Sequence, residues 1–182
     1  MEHIVFETDL GYFGFVERNS ALLALTFGHS SHRAASKALS QRVRDLELPT
    51  IDSIASGFQT EQLIERLQEF ALGEPTDFSD LAVETPGATR FQRRVIDACR
   101  EIPWGKTLSY GELAHRVGRP GAARAVGTVM SSNRVPLVVP CHRVVAANGG
   151  LGGYSAPQGL TMKRRLLAAE RDSSALYELA AS

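Results

Sequence analysis

The sequence predicts an α/β N-terminal domain over residues 1–86 and a mostly α-helical domain over residues 87–182. Three observations carry this division. Residues 3–27 hold short runs rich in β-branched and aromatic residues, separated by turn-forming residues. After residue 87, apolar residues recur at helical spacing in several segments. Between the two, residues 73–87 (GEPTDFSDLAVETPG) carry Pro and Gly with no periodicity, and the charge inverts across them. Residues 1–86 hold 6 Lys+Arg against 14 Asp+Glu, and residues 87–182 hold 14 against 6.

In order, HIVFET, YFGFVE and ALLALTF are predicted strands, punctuated by Asp-Leu-Gly and Arg-Asn-Ser. Residues 32–44 read as a helix. Residues 60–72 read as a stronger one, with Thr60 as its cap and Leu63, Ile64, Leu67, Phe70 and Ala71 as one apolar stripe. Residues 73–87 are a linker. Residues 90–102 place Phe91, Val95, Cys99 and Ile102 on one helical face, which makes Cys99 a buried structural thiol. Residues 109–118 and 121–133 are two short helices around a turn at Arg119-Pro120, the pattern of a helix-turn-helix. Then come a buried strand in VPLVVPCHRVVAA (135–147), a Gly-rich loop, and a helix over 161–170.

Composition sets limits. The chain has 182 residues, 43% of them apolar and 22% charged, as in an ordinary globular protein. No apolar run approaches the ~20 residues that span a bilayer, and MEHIVFETDL lacks the basic-then-apolar pattern of a signal peptide. Two cysteines make no disulfide framework, and a reducing, intracellular setting fits. A net charge of zero hides a basic half, which either meets a polyanion or attracts the acidic half.

Three stretches carry candidate chemistry. The predicted helix over 121–133 has an inner face of Ala122, Val126, Val129 and Met130. Its outer face is Arg124, Gly127, Thr128 and Ser131. Small residues let a backbone approach something narrow, such as a DNA minor groove, with Arg124 as the one long side chain inserted. Tight packing of two core helices gives the same pattern. In Pro140-Cys141-His142-Arg143 a nucleophilic thiolate needs a base and an electropositive setting. His142 reaches the thiol only if the chain turns there or through a water, because neighbours on a strand face opposite sides. Glu170 is the best-placed acid to orient the imidazole. Zinc ligation lacks the usual spacing. In NGGLGGYS (148–155) the glycines make a mobile loop or lid tipped by Tyr154 and Ser155, while the Lys-Ser/Thr of a phosphate-binding loop is missing.

Taken together, FQRRV, IPWGKTLSYGELA, AARAVG, Asn-Arg-Val-Pro, VPCHRVV, GGLGGYS and LLAAE, in that order, resemble the O6-alkylguanine-DNA alkyltransferases, or methylated-DNA–protein-cysteine methyltransferases. The resemblance covers most of residues 73–171. It implies a ribonuclease-H-like α/β N-terminal domain and a winged-helix-like DNA-binding domain. It also implies base flipping from duplex DNA, with Ala122, Ala123, Arg124, Gly127, Thr128 and Ser131 in the minor groove. Cys141 would take the alkyl group irreversibly, in one turnover. His142, Glu170, Asn133 and Tyr110 would serve the reaction, and Tyr154, Ser155, Val144, Gly152 and Met130 would shape the base pocket.

The resemblance further implies no cofactor and a cytoplasmic monomer, associated with the nucleoid when bound to DNA. Some relatives hold zinc through N-terminal cysteines, which residues 1–72 lack, so no metal is expected. Ile96 stands where the family often has Trp, and Ala88 where it often has Gly. A non-repairing branch replaces the reactive cysteine, which is present here. A DNA-binding module without transfer and a cysteine hydrolase are the competing readings; the hydrolase suffers because such Cys and His are normally far apart in sequence.

Overall fold

The computed structural model describes residues 3–44, 46 and 58–171. Met1 and Glu2, residues 45 and 47–57, and the tail 172–182 lie outside the described residues, along with the parts of the two expected domains that include them. The N-terminal half forms a three-stranded antiparallel sheet in the order β1 (Ile4–Thr8), β2 (Gly11–Arg18), β3 (Ala21–His29), followed by α1 (His32–Arg44) and α2 (Phe58–Ala71). β3 is buried on both faces. Leu22, Leu25 and Phe27 enter the main core, while Leu23 and Ala24 pack with Leu39 and Val43 of α1. In α2, Leu63, Leu67, Phe70 and Ala71 are buried as their helical spacing requires. Thr60 does not cap this helix. It sits inside the first turn, and its hydroxyl donates to Glu17 of β2 at 3.2 Å.

Residues 73–87 are not a free tether. Phe78 is buried, and Val83 bridges to Leu22 in parallel. Leu22 donates to Ala82, and Glu84 donates back to Leu22, both at 2.8 Å. Arg18 forks onto Glu84. The unpaired edge of β3 draws this segment in, because a strand edge leaves backbone donors and acceptors open.

The second half is helical: α3 (Arg90–Arg100), α4 (Tyr110–Arg116), α5 (Ala123–Ser131) and α6 (Leu160–Arg171). Thr89 and Gln92 close a capping box on α3, and Ser109 and Glu112 close another on α4. Val95, Cys99 and Ile102 are buried together. The two-residue strands β4 (Leu108–Ser109) and β5 (Val144–Val145) pair in parallel. One continuous apolar core runs from the N-terminal sheet through α3, α4, α5 and α6. Among the described residues no helix is long and apolar enough to cross a membrane.

The expected strand over 135–147 is the main correction. Residues 135–140 form a tight turn, with Leu137 at φ +73°, and Cys141–Arg143 is one turn of 3-10 helix. Only Val144–Val145 is strand. Pro136 and Pro140 have no N–H to give a ladder, so an apolar run that hydropathy reads as a strand folds on itself.

Candidate active site

Asn133 organises the turn. Its Nδ2 donates to the Val139 carbonyl at 2.9 Å and to Cys141 Sγ at 3.1 Å, and its Oδ1 accepts from Val135 N at 3.0 Å. The thiol is thereby held at the head of the 3-10 turn, 5% exposed. Burial pushes the Cys141 thiol up; the Asn133 hydrogen bond and the charges of Lys163 and Arg42 pull the other way.

The 3-10 turn then sends His142 and Arg143 toward α6. His142 Nε2 donates to Glu170 Oε1 at 2.7 Å, and both side chains are sealed from solvent. Arg143 gives Nε to both Glu170 oxygens at 3.0 Å and Nη2 to Oε1 at 2.9 Å, and its Nη1 donates to the Ile102 carbonyl at 2.7 Å. Gly105 N also donates to Glu170 Oε2 at 3.1 Å. Burial alone would raise the Glu170 carboxyl, but its hydrogen bonds with His142 and Arg143, and the charge both carry in the acid range where it titrates, overcome that and hold it at about 2. Burial pushes His142 down; Glu170 opposes this, and the cations Arg143 and Lys163 reinforce it. The imidazole is therefore neutral, with its proton on Nε2 facing the carboxylate. Its Nδ1 is buried and unpartnered among the described residues, a free base.

Tyr110 opens α4 directly after its cap, and the Gly153 main chain reaches its hydroxyl. Burial and the neighbouring Cys141 raise this phenol and that of Tyr154. The Tyr154 hydroxyl is buried without a partner among the described residues, whereas Ser155 is exposed. Gly152 has φ +69°, and a Cβ there would stand 2.6 Å from the Tyr110 hydroxyl, so only glycine lets the lid lie on this ring. On α5, Arg124, Thr128 and Ser131 are exposed, Ala122, Ala123 and Gly127 are half-buried, and Val126, Val129 and Met130 are buried. A Cβ on Gly127 would be 3.9 Å from the Tyr110 ring, so the exposed helix face adjoins that ring.

Two residues of the site escaped the sequence reading. Lys163 of α6 is fully buried; its Nζ donates to the Val144 carbonyl at 2.6 Å and lies 5.9 Å from the Tyr110 and Tyr154 ring centres. The signal was available, because Lys163 shares the helical face of Leu166, Leu167 and Glu170. Arg42 of α1 donates from Nη1 to the Asn133 carbonyl at 2.9 Å, with no local signal at all.

Known proteins share this architecture. The family described as 6-O-methylguanine DNA methyltransferase, DNA binding domain, matches residues 90–172. The methylated-DNA–protein-cysteine methyltransferase of Mycolicibacterium paratuberculosis is 49% identical over 111 residues, which span 61% of this chain and 65% of that protein. That of Shigella flexneri is 45% identical over 105 residues, 58% of this chain and 60% of that protein. The crystal structure of Mycobacterium tuberculosis OGT in complex with DNA superposes with a TM-score of 0.71 at 31% identity, covering 96% of this chain and 98% of that one. The M. tuberculosis O6-methylguanine methyltransferase crystal structure gives 0.69 at 31% identity, over 93% and 92%. With its α/β N-terminal half, its helical second half and this site, the chain belongs to the methylated-DNA–protein-cysteine methyltransferase family.

Proposed function

We propose that this protein repairs O6-alkylguanine in duplex DNA by moving the alkyl group to its own Cys141, once per molecule. The observation that carries the reading is a thiol held by Asn133 and followed by a neutral His142 already paired to an ionised Glu170. The α5 face enters the minor groove, and Arg124 fills the place of the flipped nucleotide. The flipped guanine stacks in the pocket of Tyr110 and Tyr154, under the lid of Gly152, Gly153 and Ser155. His142 Nδ1 takes the thiol proton through a water, Glu170 stabilising the imidazolium that forms. The thiolate attacks the alkyl carbon, the S–C bond forms as the C–O6 bond breaks, and Tyr110 donates a proton to the departing guanine. The thioether is not hydrolysed, so the protein is consumed and needs no cofactor.

In this reading residues 1–86 are a ribonuclease-H-like α/β domain and residues 87–182 a winged-helix-like domain, working as a monomer in the cytoplasm. Intact-mass and peptide measurement after mixing with an O6-methylguanine duplex tests it. Cys141 gains one methyl in place of a hydrogen, and Cys141→Ala gains nothing while still binding the duplex. Duplex binding by the wild type without any mass change overturns transfer in favour of a recognition module. Arg124→Ala should slow transfer more than it weakens binding to undamaged duplex.

A further inference from the structure

We propose that Arg42 is a positioning residue for the reactive thiol: from α1 of the N-terminal half it grips the main chain of the Asn133 turn and holds a permanent positive charge toward Cys141. The proposal rests on the reading of Cys141 as the alkyl acceptor.

Helix α1 packs through Ala35, Leu39 and Val43, and Arg42 leaves it beside that buried row. Its bond to the Asn133 carbonyl joins residues 91 apart in sequence. Asn133 is also the residue that holds Sγ, so Arg42 stands two hydrogen bonds from the thiol. The next carbonyl along, that of Arg134, accepts from Leu25 N of β3 at 2.8 Å. The N-terminal half thus holds the turn at two consecutive carbonyls. A backbone amide, which almost any residue supplies, holds one; a guanidinium holds the other.

Arg42 is half-buried and loses part of its hydration, and among the described residues no carboxylate pairs with it. Burying an unpaired cation is costly, and such costs concentrate where the charge is used. The groups facing the thiol come from every element around it: Lys163 of α6, Tyr110 of α4, Tyr154 of the lid, Cys99 of α3 and the adjoining His142–Glu170 pair. Arg134 and His29 face Arg42 itself. With His142 neutral, the standing positive charges near Sγ are Lys163 and Arg42, one from each half of the chain.

The test compares wild type, Arg42→Gln and Arg42→Lys as full-length proteins. Gln keeps a donor for the Asn133 carbonyl and loses the charge; Lys keeps the charge and loses the planar fork. Alkylation of Cys141 by iodoacetamide, read on its peptide by mass, is followed across pH around the ordinary thiol value of ~8.5. Single-turnover methyl uptake from an O6-methylguanine duplex and thermal denaturation run alongside. Removing a cation that favours the thiolate raises the midpoint. Arg42→Gln should move it up and slow both reactions severalfold at neutral pH, while Arg42→Lys keeps the wild-type midpoint. A merely structural tether changes melting and leaves all three midpoints together, and that result overturns the proposal. If the wild type takes no methyl from DNA, the reading of Cys141 as acceptor falls, and the iodoacetamide profiles still decide the role of Arg42.

Discussion

Glu170→Gln is the sharpest probe of the buried network. It keeps the side-chain size and removes the charge that Arg143 pairs with and His142 hydrogen-bonds to. Glu170 titrates at about 2 in the folded protein against 4.5 ordinarily, a difference of about 2.5 units, or roughly 3 kcal/mol at neutral pH. The side chain is 1% exposed, so solvent screens little of this. The stabilisation is complete above the unfolded value and is lost as pH falls through the folded one. The gap between wild type and Glu170→Gln should be roughly 3 kcal/mol at about pH 7 and shrink by roughly 2 kcal/mol at about pH 3. Urea denaturation at both pH values measures it. A gap that is equal at the two pH values refutes the claim that an ionised, charge-paired Glu170 holds α6 to the 3-10 turn.

Asn133→Ala should cost about 1–3 kcal/mol, since the Val135 amide loses its buried acceptor while the Val139 carbonyl keeps the Cys141 amide at 2.7 Å. Chemical denaturation measures this, and iodoacetamide labelling should find the thiol no longer fixed. Gly152→Ala should displace Tyr110 and slow methyl uptake by at least about tenfold, at roughly 1.4 kcal/mol of barrier per decade, with duplex affinity unchanged by gel shift. Lys163→Met removes a buried cation whose hydrogen-bond acceptors among the described residues are carbonyls. Stability should change by no more than about 1 kcal/mol, while the Cys141 labelling midpoint moves up.

Local signals made much of this protein legible. Turn residues separate β1, β2 and β3, and the spacing of Phe91, Val95, Cys99 and Ile102 reveals the buried face of α3. The spacing of Leu63, Leu67 and Phe70 reveals the buried face of α2. The reading failed where local and tertiary preferences part. Thr60 looks like a cap but answers Glu17 of a neighbouring strand. Residues 73–87 look unstructured, yet the open edge of β3 recruits them. VPLVVP has the hydropathy of a strand, but two prolines and an asparagine two to eight residues from its partners turn it into the seat of the thiol.

By itself the sequence determined which side chains could react, because Cys141, His142 and Glu170 are chemical identities and their motifs keep a characteristic order. It also determined the helix that carries Glu170, since helix periodicity is short-range. Only the tertiary structure decided what state those groups are in. The Glu170 charge, the neutral His142 and the thiol held by Asn133 depend on burial and on partners 27 or more residues distant for the carboxylate, and 91 distant for Arg42 and Asn133. Protonation and positioning are properties of an environment, and no local stretch of chain contains its own environment.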